Sequence, residues 1–288
     1  MKKVLITGAN SYVGNAFKQW IEAHHTNSVQ VDTVGMRNGE WKNISFDGYD
    51  AILHAAGIAH VSTDKSMEDL YYKVNTDLTA EVATKAKLEG VKQFIFLSSM
   101  IVYGDASNAQ MITRDTVPKP TNFYGNSKLQ AEKKLEVLAD RDFLVANIRP
   151  PMIYGKGSKG NYIKLAGLSK KIPFFPSYQN QRSMIHIDNL SEFLAQIILR
   201  EDHGTFHPQN EEYVCTSELV STIGSVHGNR VRRLGLFNGV IRQLVNRNVT
   251  INKLFGDFAY AKELSTYEHD YHVRDFKDSI VATEKNEN

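Results

Sequence analysis

Three side chains have the types and the spacing to move a proton while a hydride moves at a carbon–oxygen bond. Tyr124 and Lys128 stand four residues apart in NFYGNSK, and Ser99 ends the apolar run FIFLSS. A phenol can take the proton of an alcohol or return it to a ketone, and a nearby ammonium ion favours its phenolate form. A serine hydroxyl can hydrogen-bond the same oxygen. The set suits hydride chemistry at a hydroxyl-bearing carbon, provided that the fold brings the three residues together.

Short β-branched runs alternate with helical patterns through the first half of the chain. The predicted strands are Lys3–Thr7, Ser28–Val34, Ala51–Gly57, Lys92–Ser99 and Phe143–Pro150, and the predicted helices are Tyr12 to about His25, Met67 to about Glu89, and Phe123–Leu138. This alternation predicts an α/β fold, a doubly wound parallel sheet with helices on both faces. The carboxyl ends of such strands face the ligand crevice, so Ser99 is expected there. A helix that starts near Phe123 presents Tyr124 and Lys128 on one face.

The first strand runs directly into a glycine-bearing loop, TGANSYVG, that opens the first helix. Glycine there allows a tight turn and lets backbone N–H groups approach a pyrophosphate at the helix start. Gly8 and Gly14 fit this role. The same spacing can serve a plain strand-to-helix turn, but the flanking elements favour a dinucleotide site. The predicted cofactor-binding residues of the loop are Gly8, Asn10, Ser11, Tyr12, Val13 and Gly14.

The end of the second strand should select between NAD and NADP, because a carboxylate there binds the ribose hydroxyl and repels a 2′-phosphate. Two positions are possible for the end of the second strand, and we call them the first and the second register. Asp32 matches by counting from Gly8, whereas a longer turn before the strand moves its end to Gly35. The second register offers no acid and places Arg37 nearby, which suits a 2′-phosphate. We favour the second register, and therefore NADP(H) over NAD(H).

The segments LSSMIVYGD, YGNSK and IRPPMIYG, in that order after the loop, resemble the extended short-chain dehydrogenases/reductases. This is the NAD-dependent epimerase/dehydratase family, and the resemblance to UDP-galactose 4-epimerases and UDP-sugar 4-ketoreductases runs from Lys3 to about Leu190. The chain departs from the family in having Ser11 where the middle glycine of the loop belongs. The resemblance implies that Tyr124 is the acid–base group and that Ser99 positions the substrate. Lys128 would tune the Tyr124 pKa together with the positive nicotinamide ring, and it would hold the nicotinamide ribose.

The resemblance also implies lesser site residues. Those expected near the cofactor are Ala55, Ala56, Gly57, Asn75 and Pro150, and those expected near the substrate are Met100, Asn161 and Arg182. Ser183 replaces an aspartate that usually follows the arginine. His54 is predicted to be a core residue, Asp188 to cap a helix, and Phe174 and Phe175 to lie either in the core or beside a base.

Beyond Pro150 the sequence becomes rich in Gly, Ser, Lys and Pro, which predicts a loop-dominated region with isolated elements. We place a dinucleotide-binding domain at 1–150 and a smaller, mixed substrate-binding region at 151–280, with segments near 182–200 returning to the first domain. Helices are predicted at Asp188–Arg200, Ser217–Val226 and Leu236–Arg247. The tail at 281–288 is predicted to be disordered.

Composition excludes several classes of function. The 288 residues carry a net charge of +2, which gives no general reason to expect nucleic acid or an acidic surface as a partner. One cysteine, Cys215, permits no internal disulfide. The amino terminus lacks a signal-peptide core and no stretch is apolar enough to span a membrane, so we expect a cytoplasmic protein. The scattered histidines predict no metal site. Members of the family commonly form homodimers through the helices that correspond to Met67–Glu89 and Phe123–Leu138. The sequences of these two helices do not establish a homodimer here.

The resulting hypothesis is an NAD(P)-dependent enzyme acting at C4 of a nucleotide-activated, UDP-linked sugar in polysaccharide precursor synthesis. A 4-ketoreductase using NADPH is favoured by Arg37 without a strand-end acid, and a 4-epimerase with retained NAD is favoured by the overall motif set. A dinucleotide-binding sensor without turnover is a third alternative, although such proteins usually lack the tyrosine or the lysine.

Overall fold

The computed structural model describes residues 1–59, 64–104, 110–245 and 247–285. The strands are β1 Lys2–Thr7, β2 Val29–Val34, β3 Ala51–His54, β4 Gln93–Leu97, β5 Gln110–Ile112, β6 Leu144–Ile148, β7 Met152–Tyr154, β8 Phe174–Pro176, β9 Met184–His186, β10 Gly204–Phe206, β11 Arg232–Leu234 and β12 Phe258–Tyr260. The helices are α1 Tyr12–His24, α2 Glu68–Tyr71, α3 Leu78–Leu88, α4 Phe123–Leu138, α5 Asn161–Ser169, α6 Ile187–Arg200, α7 Thr216–Val226, α8 Asn238–Leu244, α9 Val249–Phe255 and α10 Phe276–Glu284.

The chain divides into two compact units. Unit 1 comprises Met1–Tyr103, Pro118–Pro150 and Leu190–Pro208, and it contains a six-stranded parallel sheet in the order β10-β6-β4-β3-β1-β2. Every residue of β3 and β4 is buried, as expected for strands covered on both faces. The chain reverses direction across the sheet between β1 and β3, where ligands bind in open α/β sheets. The predicted doubly wound fold is confirmed.

The predicted helix from Met67 to Glu89 is not one continuous α-helix. A π-helical segment, Tyr72–Asp77, separates α2 from α3. Within it Asn75 and Thr76 are buried, and the Thr76 hydroxyl donates to the Ser127 carbonyl at 2.7 Å. Single π turns often occur at functional sites. Periodicity alone could not predict this one, because the partner residue lies on α4.

Unit 2 comprises Gly104–Val117, Pro151–Asn189 and Gln209–Asn288. Its strands form three parallel pairs, β12 with β5, β7 with β9, and β11 with β8. Its core joins aromatic and aliphatic side chains of β7, α5 and α7, among them Tyr154, Tyr162 and Leu219. The region is more regular than the predicted loop-dominated one.

Several helices of unit 2 differ from the predictions. The helix expected at Leu236–Arg247 is the shorter α8, preceded by a 3-10 turn at Gly235–Phe237. The helices α5 and α9 were not predicted. The tail prediction for 281–288 is wrong for its first residues, because α10 extends to Glu284 and buries Ile280, and residues 286–288 lie outside the described part of the chain.

Candidate active site

The turn between β1 and α1 is packed so closely against the end of β3 that only glycine fits at its first position. Gly8 has φ of 106°, and a Cβ built on it would lie 2.8 Å from the Ala56 nitrogen. A Cβ on Gly14 would lie 2.5 Å from the Ser11 Oγ. Because side chains are excluded, backbone groups line this cradle, and it fits the pyrophosphate of a dinucleotide.

Ser11, the residue that departs from the family pattern, is the N-cap of α1. Its Oγ accepts a hydrogen bond from the Gly14 N–H at 3.0 Å. The hydroxyl proton is thereby left to be donated outwards, towards a phosphate oxygen, at the positive end of the helix. The neighbouring loop residues lie at or near the surface, with Asn10 exposed and Tyr12 and Val13 half-buried.

The end of β2 agrees with the second register considered from the sequence. β2 ends at Val34, whose carbonyl accepts from the Gly8 N–H at 2.8 Å. Asp32 lies inside the strand opposite Leu5, and its carboxylate accepts from the Tyr49 hydroxyl at 3.0 Å. No acid follows the strand end before Arg37, which is exposed.

Ser99 and Tyr124 are brought together at the carboxyl end of β4. The Ser99 side chain lies near the Tyr124 phenol and opposes the rise in its pKa. Both residues are half-buried, and the Ser99 Oγ also accepts weakly from the Ile101 N–H at 3.3 Å. The fold thus brings a phenol and a serine hydroxyl to one accessible point, as the proton transfer considered from the sequence requires.

Two residues that the sequence analysis missed set the position of Tyr124. Asn122 caps α4 by accepting from the Gly125 N–H at 2.8 Å, which fixes the helix start. A Cβ on Gly125 would lie 2.7 Å from the Ile101 carbonyl oxygen. Glycine therefore lets the first turn of α4 press against the 3-10 turn that follows Ser99. An Asn-x-x-Gly pattern around the tyrosine is the signal that would have found both.

Lys128 lies buried one helical turn beyond Tyr124. Its Nζ donates to the Leu97 carbonyl at 2.7 Å and stands 4.7 Å from the centre of the Phe96 ring. A Cβ on Gly57 would lie 3.2 Å from this Nζ and 3.0 Å from the Asn75 Oδ1. The Lys128 ammonium is thus the point at which α4 meets the chain after β3 and the π-helical segment.

Asn75 holds this convergence in place. Its side chain accepts from the Ile58 N–H at 2.8 Å and donates to the Ser127 Oγ at 3.1 Å, and the Ser127 hydroxyl in turn donates to the Tyr124 carbonyl at 2.8 Å. The amide therefore ties the loop after β3 to the first turn of α4. In the protein alone, its role is to position the helix that carries Tyr124.

Lys128 was expected to favour the phenolate of Tyr124 together with a bound nicotinamide ring, and in the protein alone the pKa of Tyr124 shifts upwards. Burial raises the pKa of the Tyr124 phenol above its usual value, the Ser99 side chain opposes this, and Tyr71 adds to it. Burial also lowers the pKa of Lys128 to about 8, against the opposing charge of Glu132. Desolvation of the Tyr124 phenol outweighs the charge of the Lys128 ammonium, which is bound to the Leu97 carbonyl. In the protein alone, burial therefore favours the neutral phenol form of Tyr124.

Behind the site lies a buried network that sequence reasoning missed. Glu132, one turn beyond Lys128, forms a salt bridge with Arg149 at 2.6 Å and accepts from the Ser98 hydroxyl. Arg149 also donates to the Tyr103 hydroxyl at 2.6 Å. The hydroxyl of Tyr103 contacts His207 Nε2 at 2.8 Å, and burial with the charge of Arg149 lowers the pKa of that histidine to about 3. The network fixes the strand end that bears Ser99.

Of the remaining predicted residues in unit 1, Ala55 is half-buried and Ala56 is buried where β3 ends. Met100 is buried, and its N–H donates to the Pro150 carbonyl at 2.9 Å, so these two residues join the chain after β4 to the chain after β6. His54 is a core histidine as predicted. Its ring nitrogens contact the hydroxyls of Thr7 at 2.7 Å and Thr79 at 3.1 Å.

The predicted substrate residues of unit 2 occupy a strand bridge and a helix start. Arg182 is half-buried, with its guanidinium donating to the Gly256 carbonyl at 3.0 Å, and burial lowers its pKa against the charge of Asp257. Asn161 is the exposed first residue of α5. Ser183, in the aspartate position, is buried and accepts from the Tyr260 N–H at 2.8 Å, which is a structural role.

Two further expectations in unit 2 are resolved. Phe175 is buried in the core, whereas Phe174 is 53% exposed. Asp188 does not cap α6. It lies inside the first turn of that helix and accepts a hydrogen bond from Arg274. Its carboxylate favours the helix start through the helix dipole rather than by capping.

The parallel sheet with its switch in strand order, the glycine cradle and the Ser–Tyr–Lys set are features of the short-chain dehydrogenase/reductase class of dinucleotide-dependent enzymes. Comparison with known proteins agrees. Residues 4–213 match the NAD dependent epimerase/dehydratase family, to which the chain belongs. UDP-glucose 4-epimerase of Vibrio cholerae is 40% identical over 246 residues, which cover 76% of this chain and 74% of that protein. The predicted family and the predicted enzyme class are confirmed.

Solved structures share the fold. The UDP-glucuronic acid 4-epimerase of Bacillus cereus, in complex with NAD, superposes with a TM-score of 0.73 at 16% identity and covers 97% of this chain and 96% of that one. A human epimerase family protein with NADPH gives a TM-score of 0.74 at 16% identity, covering 98% of each chain. The family binds NAD(P), and these neighbours hold different forms of it.

Within the residues that the structure describes, no group of three or more His, Cys, Asp or Glu side chains is placed to hold a metal ion. None of the described helices has the length and apolar character needed to cross a membrane.

Proposed function

We propose that the chain is an NADPH-dependent oxidoreductase that reduces the C4 carbonyl of a UDP-linked sugar. The observation that carries this proposal is the close packing of the first turn of α4, which bears Tyr124, against the turn that follows Ser99 at the carboxyl end of β4. The oxygen of a substrate carbonyl can accept hydrogen bonds from both hydroxyl groups there. That geometry suits a reaction in which negative charge develops on one oxygen.

In the proposed reduction, Tyr124 acts as the proton donor. Because burial raises the pKa of Tyr124, the phenol enters the reaction as an acid. Bound NADPH would supply the hydride to C4. Tyr124 then donates its proton to the oxygen, so that the carbonyl becomes a hydroxyl group, and the phenolate regains a proton from solvent. Ser99 holds the oxygen, and we assign the ammonium of Lys128 to the nicotinamide ribose.

The preference for NADPH rests on the end of β2. The strand ends at Val34, and Arg37 stands beyond it with no intervening acid. An exposed guanidinium suits a 2′-phosphate, whereas an acid at the strand end would repel it. Asp32 lies two residues inside the strand and is hydrogen-bonded to Tyr49.

In unit 2 we assign the diphosphate of the substrate to Arg182.

A second candidate is a UDP-hexose 4-epimerase, favoured by the 40% identity to the Vibrio cholerae UDP-glucose 4-epimerase. In that reaction C4 would be oxidised and then reduced on its other face, with retained NAD and no net consumption of cofactor. The same three side chains would serve, with Tyr124 first acting as a base.

One experiment separates the candidates. Purified protein is mixed with NADPH and a UDP-4-keto sugar, and the absorbance of NADPH is followed; a parallel sample receives UDP-glucose with NAD. Stoichiometric loss of NADPH supports the reductase, and interconversion of UDP-hexoses supports the epimerase. Binding of cofactor without either reaction would leave the sensor alternative. Tyr124→Phe should abolish turnover and keep cofactor binding, while Tyr213→Phe, which removes a hydroxyl hydrogen-bonded to the Tyr260 carbonyl, should keep both.

A further inference from the structure

Unit 2 carries a cationic surface segment that the proposed function does not use. We call residues 230–253, which span β11, α8 and most of α9, the 230–253 face. The sequence of this segment contains no aspartate or glutamate. Its cations are all exposed: Arg230, Arg232, Arg233, Arg242, Arg247 and Lys253.

Large apolar side chains stand exposed among these cations. Leu236 is 84% exposed, Phe237 is 46% exposed and Val240 is 58% exposed. The 3-10 turn at Gly235–Phe237 continues directly into α8, so residues 236 and 240 share a face by helical spacing. Ile241, at 6% exposed, lies on the other side of the helix and packs into the core of unit 2. The exposed set is therefore an outward apolar ridge.

The ridge continues onto the neighbouring strand. β11 pairs in parallel with β8, and Arg232 lies opposite Phe174. Phe174 is 53% exposed, so an aromatic ring stands at the surface beside an arginine. Val249, at the start of α9, is a further exposed apolar residue of the segment, at 57%.

The cations of the 230–253 face form no ion pair within the described part of the chain. Cations elsewhere in unit 2 do, since Lys170 pairs with Glu284 at 3.2 Å and Arg274 pairs with Asp188. Positive charge is thus left uncompensated beside apolar side chains that water does not solvate well. Exposed cations alone are ordinary, but their combination with a contiguous apolar ridge marks an interaction surface.

We propose that the 230–253 face docks reversibly onto an anionic membrane surface. Arginine and lysine side chains are attracted to acidic lipid headgroups, and leucine, phenylalanine and valine insert at the boundary between headgroups and acyl chains. A second copy of the chain is a poorer occupant. A two-fold interface would bring this acid-free segment against itself, and like charges would repel.

The test is co-sedimentation of the full chain with vesicles of phosphatidylcholine alone and of phosphatidylcholine with phosphatidylglycerol. We expect binding to the anionic vesicles only, weakening as salt is raised. Arg232→Gln with Arg233→Gln should lower the partition coefficient about 25-fold, on the order of fivefold for each cation removed. Leu236→Ser with Phe237→Ser should lower it as well, at unchanged charge.

A matched control is Val273→Ser with Lys277→Gln, which removes an exposed valine and an exposed lysine of unit 2 beside Asp275 and Asp278. It should bind anionic vesicles as the unchanged chain does. Circular dichroism and turnover of soluble substrate should be unchanged in every variant. Equal binding to both kinds of vesicle, or to neither, would overturn the proposal. So would a molar mass by light scattering that falls in the Leu236→Ser/Phe237→Ser variant without any vesicle binding, since the face would then join copies of the chain.

Discussion

Replacement of Lys128 by methionine should change how the stability of the protein depends on pH. Methionine has a similar length and no charge, so it fills the same buried space. In the folded protein burial lowers the pKa of Lys128 from 10.5 to about 8. An unfolded chain restores the ordinary value, so the two states bind different numbers of protons between these limits.

The sign follows from proton binding. Below pH 8 both states hold the proton, and the folded protein bears the full cost of a buried ammonium, about 3 kcal/mol at 1.36 kcal/mol for each pH unit. Above pH 8 the folded state releases the proton while the unfolded chain keeps it, so the free energy of unfolding rises with pH. Between pH 7 and 9.5 the unchanged protein should gain about 2 kcal/mol relative to Lys128→Met.

The assay is urea unfolding at a series of pH values, with Lys133→Met, an exposed lysine of the same helix, as the control. At pH 7 the variant should lie within about 2 kcal/mol of the unchanged protein, because the relief of burial is offset by leaving the Leu97 carbonyl without its donor. The variant should also lose activity. A difference in unfolding free energy that stays constant from pH 7 to 9.5 would refute a lowered Lys128 pKa.

Three further predictions follow from the same site. Arg37→Ser should reduce the preference for NADPH over NADH about tenfold or more, as measured by the two dissociation constants, whereas Asp32→Asn should leave the ratio unchanged. Gly8→Ala should destabilise the fold by roughly 1–3 kcal/mol more than Gly48→Ala and weaken cofactor binding, because both glycines have positive φ but only at Gly8 would a Cβ meet backbone. Equal losses in the two alanine variants would contradict the close packing of the cradle. Glu132→Gln should lower the free energy of unfolding by about 3–5 kcal/mol, because it leaves a buried guanidinium without its carboxylate partner; a loss below 1 kcal/mol in urea unfolding would count against a buried pair.

Local patterns determined much of the fold and part of the candidate site. The alternation of apolar strands and amphipathic helices predicted the parallel sheet, and the position of Gly8 after β1 predicted the turn in which a side chain would clash with β3. The spacing of Tyr124 and Lys128 placed both on one face of α4. These features are encoded within a few residues of each other, because backbone propensity, capping and side-chain period act locally.

The electrostatics of the site were decided only by the tertiary structure. Tyr124 was expected to be acidified by Lys128 together with a bound nicotinamide ring, and in the protein alone burial raises the tyrosine pKa and lowers the lysine pKa. The partners that set the site lie far away in sequence: Ser98 and Glu132 are 34 residues apart, and Asn75 and Ser127 are 52 apart. Desolvation and long-range hydrogen bonds depend on what the folded chain packs around a group, and no local pattern in the sequence records that.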